Sequence, residues 1–184
     1  LIKKSENNSS GFYLNKINDL QRALLEVERK NQKTILFGLS FALLDFSEEN
    51  RFRLKHTIVM ETGGTKGKRE EITKKELHKK LMFGFGVDRI YSEYGMAELL
   101  SQAYSKSKGL FKTPSWMKVL IRDITDPFTY VRDGKTGLIN IIDFSNLHSC
   151  PFIATQDLGC LEGSDFKVLG RFKKSEARGC NFLL

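Results

Sequence analysis

Apolar residues in the first half of the chain switch repeatedly between helical and strand spacing. Over 15–30, Ile17, Leu20, Leu24, Leu25 and Val27 recur at helical intervals. The apolar run 34–39 predicts a short buried strand, 41–46 a turn into a helix, and 54–60 a second strand that ends at Glu61-Thr62-Gly63-Gly64. Thr73-Lys74-Lys75-Glu76 is a capping box, so a helix is expected behind it to about Phe83. Residues 87–91 predict a third strand. It leads to Tyr94-Gly95-Met96-Ala97-Glu98, which reads as a strand end, a tight turn and a helix start. Alternation of this kind predicts a parallel α/β sheet, with ligands at the carboxyl ends of its strands.

Past Pro114 the pattern changes. Residues 117–122, 138–143, 152–155 and 166–169 predict short strands, separated by turns such as Asp133-Gly134-Lys135-Thr136-Gly137 and the hairpin-like Leu161-Glu162-Gly163-Ser164-Asp165. The reading is an α/β portion over 1–115 and a small β-rich subdomain with a hinge-like tail over 116–184. With 184 residues, 40% of them hydrophobic, the chain can bury a core without disulfides or metal. Its longest apolar run, 35–44, is interrupted by Gly38 and Ser40 and is far short of a membrane span. No charged-then-apolar leader opens the sequence. Cys150, Cys160 and Cys180 are odd in number and lack CxxC spacing, which argues against a disulfide framework or a zinc site and for the cytoplasm. The net charge of +8 does not imply nucleic acid: the densest basic stretch, 66–80, is interleaved with Glu70, Glu71 and Glu76 and has no aromatics to stack bases. The chain begins at Leu1, without methionine, and further residues upstream are expected.

Several constellations could carry chemistry, and each has a plainer alternative. In the pentad an aromatic ring and a carboxylate flank Gly95: Tyr94 could stack on a base, and Glu98 could hold a divalent metal. Glu61-Thr62-Gly63-Gly64-Thr65-Lys66-Gly67-Lys68 resembles a phosphate loop, but its glycine spacing and the Arg69 that follows do not fit a Walker A pattern. It is a plain turn, or a place where a ligand approaches the backbone closely. Gly38-Leu39-Ser40-Phe41-Ala42 resembles a hydrolase nucleophile elbow lacking its last glycine, with Asp143 and His148 following in order. His56 and His78 read as ordinary surface or helix residues. Asp157, expected at a strand end near Gly159, could accept from both ribose hydroxyls or simply cap a turn. Cys180, after Arg178-Gly179, is either packed with Phe182 and Leu183 or a thiol activated by neighbouring positive charge.

As a set, these stretches resemble the adenylate-forming superfamily of acyl-CoA synthetases, luciferases and peptide-synthetase adenylation domains. The pentad is similar to its Y-G-x-T-E motif, the Asp157 segment to its ribose-binding motif, and Gly170-Arg171 to its hinge motif. Within that superfamily, Met60-Glu61-Thr62-Gly63-Gly64, Ser92-Glu93-Tyr94-Gly95-Met96, residues 98–105, and Leu169-Gly170-Arg171 with Arg178-Gly179-Cys180 resemble the acyl-protein synthetases of bacterial bioluminescence fatty-acid reductases. The resemblance implies a ligase that uses ATP and Mg2+ to convert a fatty acid to an acyl-adenylate, then moves the acyl group to a cysteine thiol. Tyr94 would flank the adenine, Gly95 would let a phosphate of the nucleotide approach the backbone, Gly63 and Gly64 would line the adenine and acyl pocket, Asp157 and Arg171 would bind the ribose, and Glu98 would hold Mg2+. Cys180 would be the acylated nucleophile that passes the chain to a reductase or another acceptor protein. A coenzyme A or carrier-protein ligase, or a binding module that keeps only the fold, are the alternatives. The sequence departs from the superfamily at Ala97, where a phosphate-contacting threonine is usual, and at Lys173 and Lys174, where aspartates often follow the hinge arginine. Its Ser/Thr/Gly-rich phosphate loop and large C-terminal domain have no counterpart in these residues. The chain alone is therefore expected to bind ATP weakly and not to catalyse adenylation.

Overall fold

Helix α1 (Ile17–Arg29) follows its apolar spacing only in part: Leu24 and Val27 are buried, whereas Leu25, a quarter-turn off that face, is 51% exposed. This computed structural model describes residues 2–5, 7, 9–63 and 72–172. It divides into two units, Leu1–Tyr91 and Ser92–Leu184, so the pentad's strand falls at the division, ahead of the 115/116 change in pattern.

In the first unit, α1 is followed by β1 (Thr34–Leu39), α2 (Ser40–Glu49), β2 (Thr57–Thr62) and α3 (Lys74–Phe85). β1 and β2 pair in parallel, from Thr34 opposite Thr57 to Leu39 opposite Thr62, and α2 makes the crossover. β2 starts later than its apolar run suggests. Leu54 is buried, but its amide bonds the carbonyl of Phe85 at 3.0 Å and so belongs to the packing of α3, not to the ladder. The strand's true start is fixed by Glu28 of α1, which accepts from the amides of Lys55 (2.9 Å) and His56 (3.0 Å) and from the Thr57 hydroxyl (2.6 Å). The expected capping box is present: Thr73 Oγ1 accepts from the Glu76 amide, and the Glu76 carboxylate accepts from the Thr73 amide. Phe46, Phe52 and Phe85 pack at the centre of this unit, with ring centroids 5.1–6.1 Å apart. The strand expected over 87–91 is displaced to Tyr91–Tyr94, because Val87 closes the helix with a bond from its amide to Met82.

The second unit contains β3 (Tyr91–Tyr94) from its second residue on, β4 (Ala103–Ser105), β5 (Leu110–Phe111), β6 (Met117–Arg122), β7 (Gly137–Asp143), β8 (Phe152–Glu162) and β9 (Asp165–Arg171). β3 and β4 are antiparallel, with Tyr94 opposite Ala103. The helix expected to start in the pentad does not form. Residues 95–102 make a turn, with Leu99 N–H on the Met96 carbonyl at 3.1 Å, and return as β4. Only Leu99 and Ala103 supply buried apolar side chains beyond the turn, too few to seat a helix. The remaining strands form an antiparallel sheet in the order β5-β9-β8-β7-β6. Strict alternation buries Met117, Val119 and Ile121 of β6 against Ile139, Ile141, Phe111 and Phe166. β8 is longer than expected, so Asp157 stands in mid-strand. A register shift follows between Leu158 and Gly159, where a Cβ on Gly159 would lie 2.5 Å from the Lys167 carbonyl oxygen. The α/β class expected from the sequence is the class observed, with parallel pairing at β1 and β2 and antiparallel pairing throughout the second unit.

A fully buried carboxylate, Glu61, holds the end of β2. It accepts from Ser40 Oγ at 2.6 Å on one oxygen; Lys74 Nζ at 2.6 Å and His78 Nε2 at 3.3 Å lie against the other. Burial pushes the Glu61 carboxyl up, but the bonds from His78, Lys74 and Ser40 outweigh it and hold the pKa at about 2, against an ordinary 4.5. A depressed carboxyl stabilises the fold above its unfolded pKa and ceases to do so as it protonates. Acid unfolding of the wild type should therefore show a loss of about 3 kcal/mol between roughly pH 4.5 and 2. Glu61→Gln should lack that loss and should be about 3 kcal/mol less stable at pH 7. Urea unfolding across this range, followed by far-ultraviolet circular dichroism, measures both effects.

Candidate nucleotide and metal site

Tyr94 ends β3 with its ring in the core of the second unit, edge-on to Phe111 and Phe166 at centroid distances of 6.0 and 5.5 Å, and the residue is 9% exposed. Its hydroxyl is directed outward and donates to Asp157 Oδ2 on β8 at 2.9 Å. Burial, and then the Asp157 charge, push the Tyr94 hydroxyl well above its ordinary pKa, so it remains a donor. Asp157 is fixed from its own strand as well: its amide donates to Thr155 Oγ1 at 3.0 Å, and that hydroxyl donates to the Ile139 carbonyl of β7 at 2.8 Å. Arg171 is opposite Asp157 in the β8–β9 ladder and is exposed. Tyr94, Asp157 and Arg171, far apart in sequence, are thus brought together by the Tyr94–Asp157 bond and the β8–β9 ladder.

This placement changes the expected part of Tyr94. A ring buried edge-on against two phenylalanines is not an open stacking platform; the side chain supports Asp157 through its hydroxyl. Asp157 is half-buried, with Oδ2 engaged by Tyr94 and Oδ1 left for a second donor such as a ribose hydroxyl. Arg171 beside it supplies donors and positive charge. Gly95 is exposed, and a Cβ there would press on Gln102 Cγ at 3.2 Å, so the pentad's glycine keeps the β3–β4 turn compact.

Glu98 is exposed on that turn. Among the described residues, no three His, Cys, Asp or Glu side chains group as metal ligands. A single carboxylate still fits Mg2+, which takes most of its octahedral shell from phosphate oxygens and water. Two buried side chains, one at the end of β7 and one just past it, hold this segment. Asp143, fully buried, accepts from Ser101 Oγ (2.8 Å) and the Ser101 amide (3.0 Å), and Asn146 donates to the Glu98 carbonyl (2.7 Å). Sequence reasoning missed Asn146; the only signal was a short polar side chain just past the end of an apolar strand.

The hydrolase reading is overturned. Ser40 is fully buried on the Glu61 carboxylate, not beside a histidine in a cleft, and the oxygens of Asp143 are engaged by Ser101 and Ser145. Gly63 belongs to the first unit, at the end of β2. With φ of +73° it takes a conformation that disfavours a side chain, and its carbonyl lies 3.2 Å from Ser40 Oγ. Gly64 and Cys180 lie outside the described residues. Of the other cysteines, Cys150 is exposed, and Cys160 is buried with its thiol pKa pushed up by that burial. A separate groove of about 560 Å3, lined by residues including Gln102, Tyr104, Lys112 and Trp116, contains none of the predicted site residues.

The sequence matches the family described as acyl-protein synthetase, LuxE, over residues 4–184. The chain belongs to that family. No curated protein matches it in sequence. Among solved structures it is similar to ATP-bound MatB from Rhodopseudomonas palustris, with a TM-score of 0.60 at 15% identity, covering 82% of this chain and 33% of that one. It is also similar to FadD1, a long-chain-fatty-acid-CoA ligase from Archaeoglobus fulgidus (TM-score 0.59, 13% identity, 85% and 38% covered). A third is MenE, the O-succinylbenzoate coenzyme A synthetase of Bacillus subtilis in complex with AMP (TM-score 0.57, 18% identity, 84% and 34% covered). This LuxE-family chain thus has the fold of adenylate-forming ligases and spans about a third of the length of these enzymes. No helix among its described residues is long and apolar enough to cross a membrane.

The raised Tyr94 pKa has a measurable sign. The unfolded chain releases this proton near pH 10 and the folded chain does not, so stability should fall as pH rises beyond 10. In a spectrophotometric titration one of the five tyrosines should ionise only on unfolding, and Tyr94→Phe should remove that late step. The same substitution should cost about 1 kcal/mol of stability through the lost hydrogen bond to Asp157.

Proposed function

We propose that the chain is part of a cytoplasmic, ATP-dependent acyl-protein synthetase that activates a fatty acid as its acyl-adenylate and transfers the acyl group to the thiol of Cys180. The observation that carries this reading is the convergence of Asp157, its Tyr94 donor and Arg171 in a chain of this family. Asp157 Oδ1 and the Arg171 guanidinium would take the ribose, and Tyr94 would act on the nucleotide through Asp157. Gly63 and Gly64 would line the adenine and acyl pocket, and Gly95 would let the nucleotide approach the β3–β4 turn. Glu98 would hold Mg2+, which when bound supplies positive charge against the phosphate oxygens.

In the first step a carboxylate oxygen of the fatty acid attacks the α-phosphorus of ATP, and pyrophosphate leaves with the electrons of the broken P–O bond. In the second the Cys180 thiolate attacks the acyl carbon, AMP leaves with the anhydride oxygen, and the thioester remains on the protein. A nucleophile carried on the same protein meets the adenylate at a high effective concentration. The acyl group then passes to a reductase or another acceptor protein. A second reading, in which coenzyme A takes the acyl group, draws support from the coenzyme A ligases among the structural neighbours. Under that reading Cys180 would be dispensable.

A synthetic fatty acyl-adenylate separates the two steps. The chain should acquire a hydroxylamine-labile radioactive label from it, and Cys180→Ser should lose that label while Cys150→Ser keeps it. Label that resists hydroxylamine, or that persists in Cys180→Ser, excludes Cys180 as acceptor. Equally fast transfer to added coenzyme A by Cys180→Ser decides for the second reading. ATP affinity, measured by calorimetry, should fall about tenfold or more in Asp157→Ala, since hydrogen bonds to a charged group contribute about 1.5–3 kcal/mol.

A further inference from the structure

The carboxylate proposed to hold Mg2+ is on a turn with almost no backbone bonding of its own. Residues 95–102 belong to no helix or strand, and among the described residues the Leu99 N–H to Met96 carbonyl bond is the one backbone–backbone bond within this stretch. The segment is instead held from the side. Asn146 is 4% exposed and uses both ends of its amide on it: Nδ2 donates to the Glu98 carbonyl at 2.7 Å, and Oδ1 accepts the Leu100 amide at 2.9 Å. That pair imitates a strand partner across Leu99. One residue further on, Asp143 takes the Ser101 amide and hydroxyl, and Trp116 Nε1 donates to the same hydroxyl at 2.9 Å. Asn146 is itself held by the short 3₁₀ turn Phe144–Asn146, which the Asp143 side chain caps, and by Ser149, whose hydroxyl lies 3.2 Å from Asn146 Nδ2.

We infer that Asn146 is a positioning residue for Glu98, fixing its backbone so that the carboxylate is set for Mg2+ before the nucleotide arrives. The inference rests on the reading of Glu98 as metal ligand given above. Only a side chain that donates and accepts at once can make both bonds, so aspartate of the same shape cannot replace it: it keeps the Leu100 bond and turns an acceptor toward the Glu98 carbonyl. Preorganised ligands bind without first spending ordering entropy, and loosening this turn should weaken the metal-dependent part of nucleotide binding only.

The test compares ATP binding by the full chain with and without Mg2+, alongside thermal unfolding of each variant. Mg2+ should raise ATP affinity in the wild type, and Glu98→Gln should abolish the increase. Asn146→Asp should reduce the increase about tenfold while leaving Mg2+-free ATP affinity unchanged. Ser149→Ala, at an exposed position, should fold and reduce it about two- to threefold. Combining Glu98→Gln with Ser149→Ala should give no further loss. An increase lost in Glu98→Gln but intact in Asn146→Asp, or in Ser149→Ala where Asn146→Asp fails to fold, overturns the positioning role alone. A wild type without any Mg2+-dependent increase, or a Glu98→Gln variant that retains it, overturns the Glu98 reading and this inference with it.

Discussion

In the second unit one hydrogen bond, from the Tyr94 hydroxyl to the Asp157 carboxylate, ties the candidate site to the core. It joins the interior to the surface through a single side chain. The Tyr94 ring is part of the same aromatic cluster as Phe111 and Phe166, and the hydroxyl emerges where β8 carries its half-buried acid. A phenylalanine would fill the core equally well and leave Asp157 to water. A more polar residue would hold Asp157 and open the core. Tyrosine does both because its apolar body and polar tip are separated by the length of the ring.

The first unit uses charge differently. Glu61 is completely enclosed, and its cost of desolvation is met by a lysine and a histidine of α3 and a hydroxyl of α2. Ser40 begins α2 directly after β1, and Glu61 lies near the end of β2, so their bond joins the carboxyl ends of two parallel strands. Ligand sites in open α/β sheets form at such strand ends. Here that end is closed internally by an ion cluster, and Gly63 is the first residue beyond it.

Much of the fold could be read from the residues because local chemistry and burial agreed. The capping box of α3 and the strands of the meander are cases in which spacing, caps and turn glycines all point one way. Thr34–Leu39 forms its expected strand but not a buried one: only Leu36 is buried, and Ile35, Phe37 and Leu39 are exposed. The displaced elements are those where a tertiary contact outweighed spacing. Leu54 was claimed by the end of α3, and Val87 was drawn into a helix-closing bond. The helix expected after Tyr94 failed because Asp143 and Asn146, more than 40 residues downstream, satisfy the amides and carbonyl of that segment in a turn. The same limit applies to the site. Tyr94, Asp157 and Arg171 were legible as residue types, but the part played by the Tyr94 ring was not, because edge-on packing against Phe111 and Phe166 is set by pairing between distant strands.

Strand order also governs how this face is assembled. β6, β7, β8 and β9 are successive neighbours, so each pairing closes a short loop and can zip from the last. β5 is the exception: it precedes β6 in the chain yet lies beyond β9, and Leu110 must find Lys167 across the whole meander. That closure carries the largest entropic cost in the sheet, and it is the one that brings Phe111 against Phe166. The aromatic seat of Tyr94 is therefore incomplete without that closure, since Phe111 and Phe166 are the two rings that flank it.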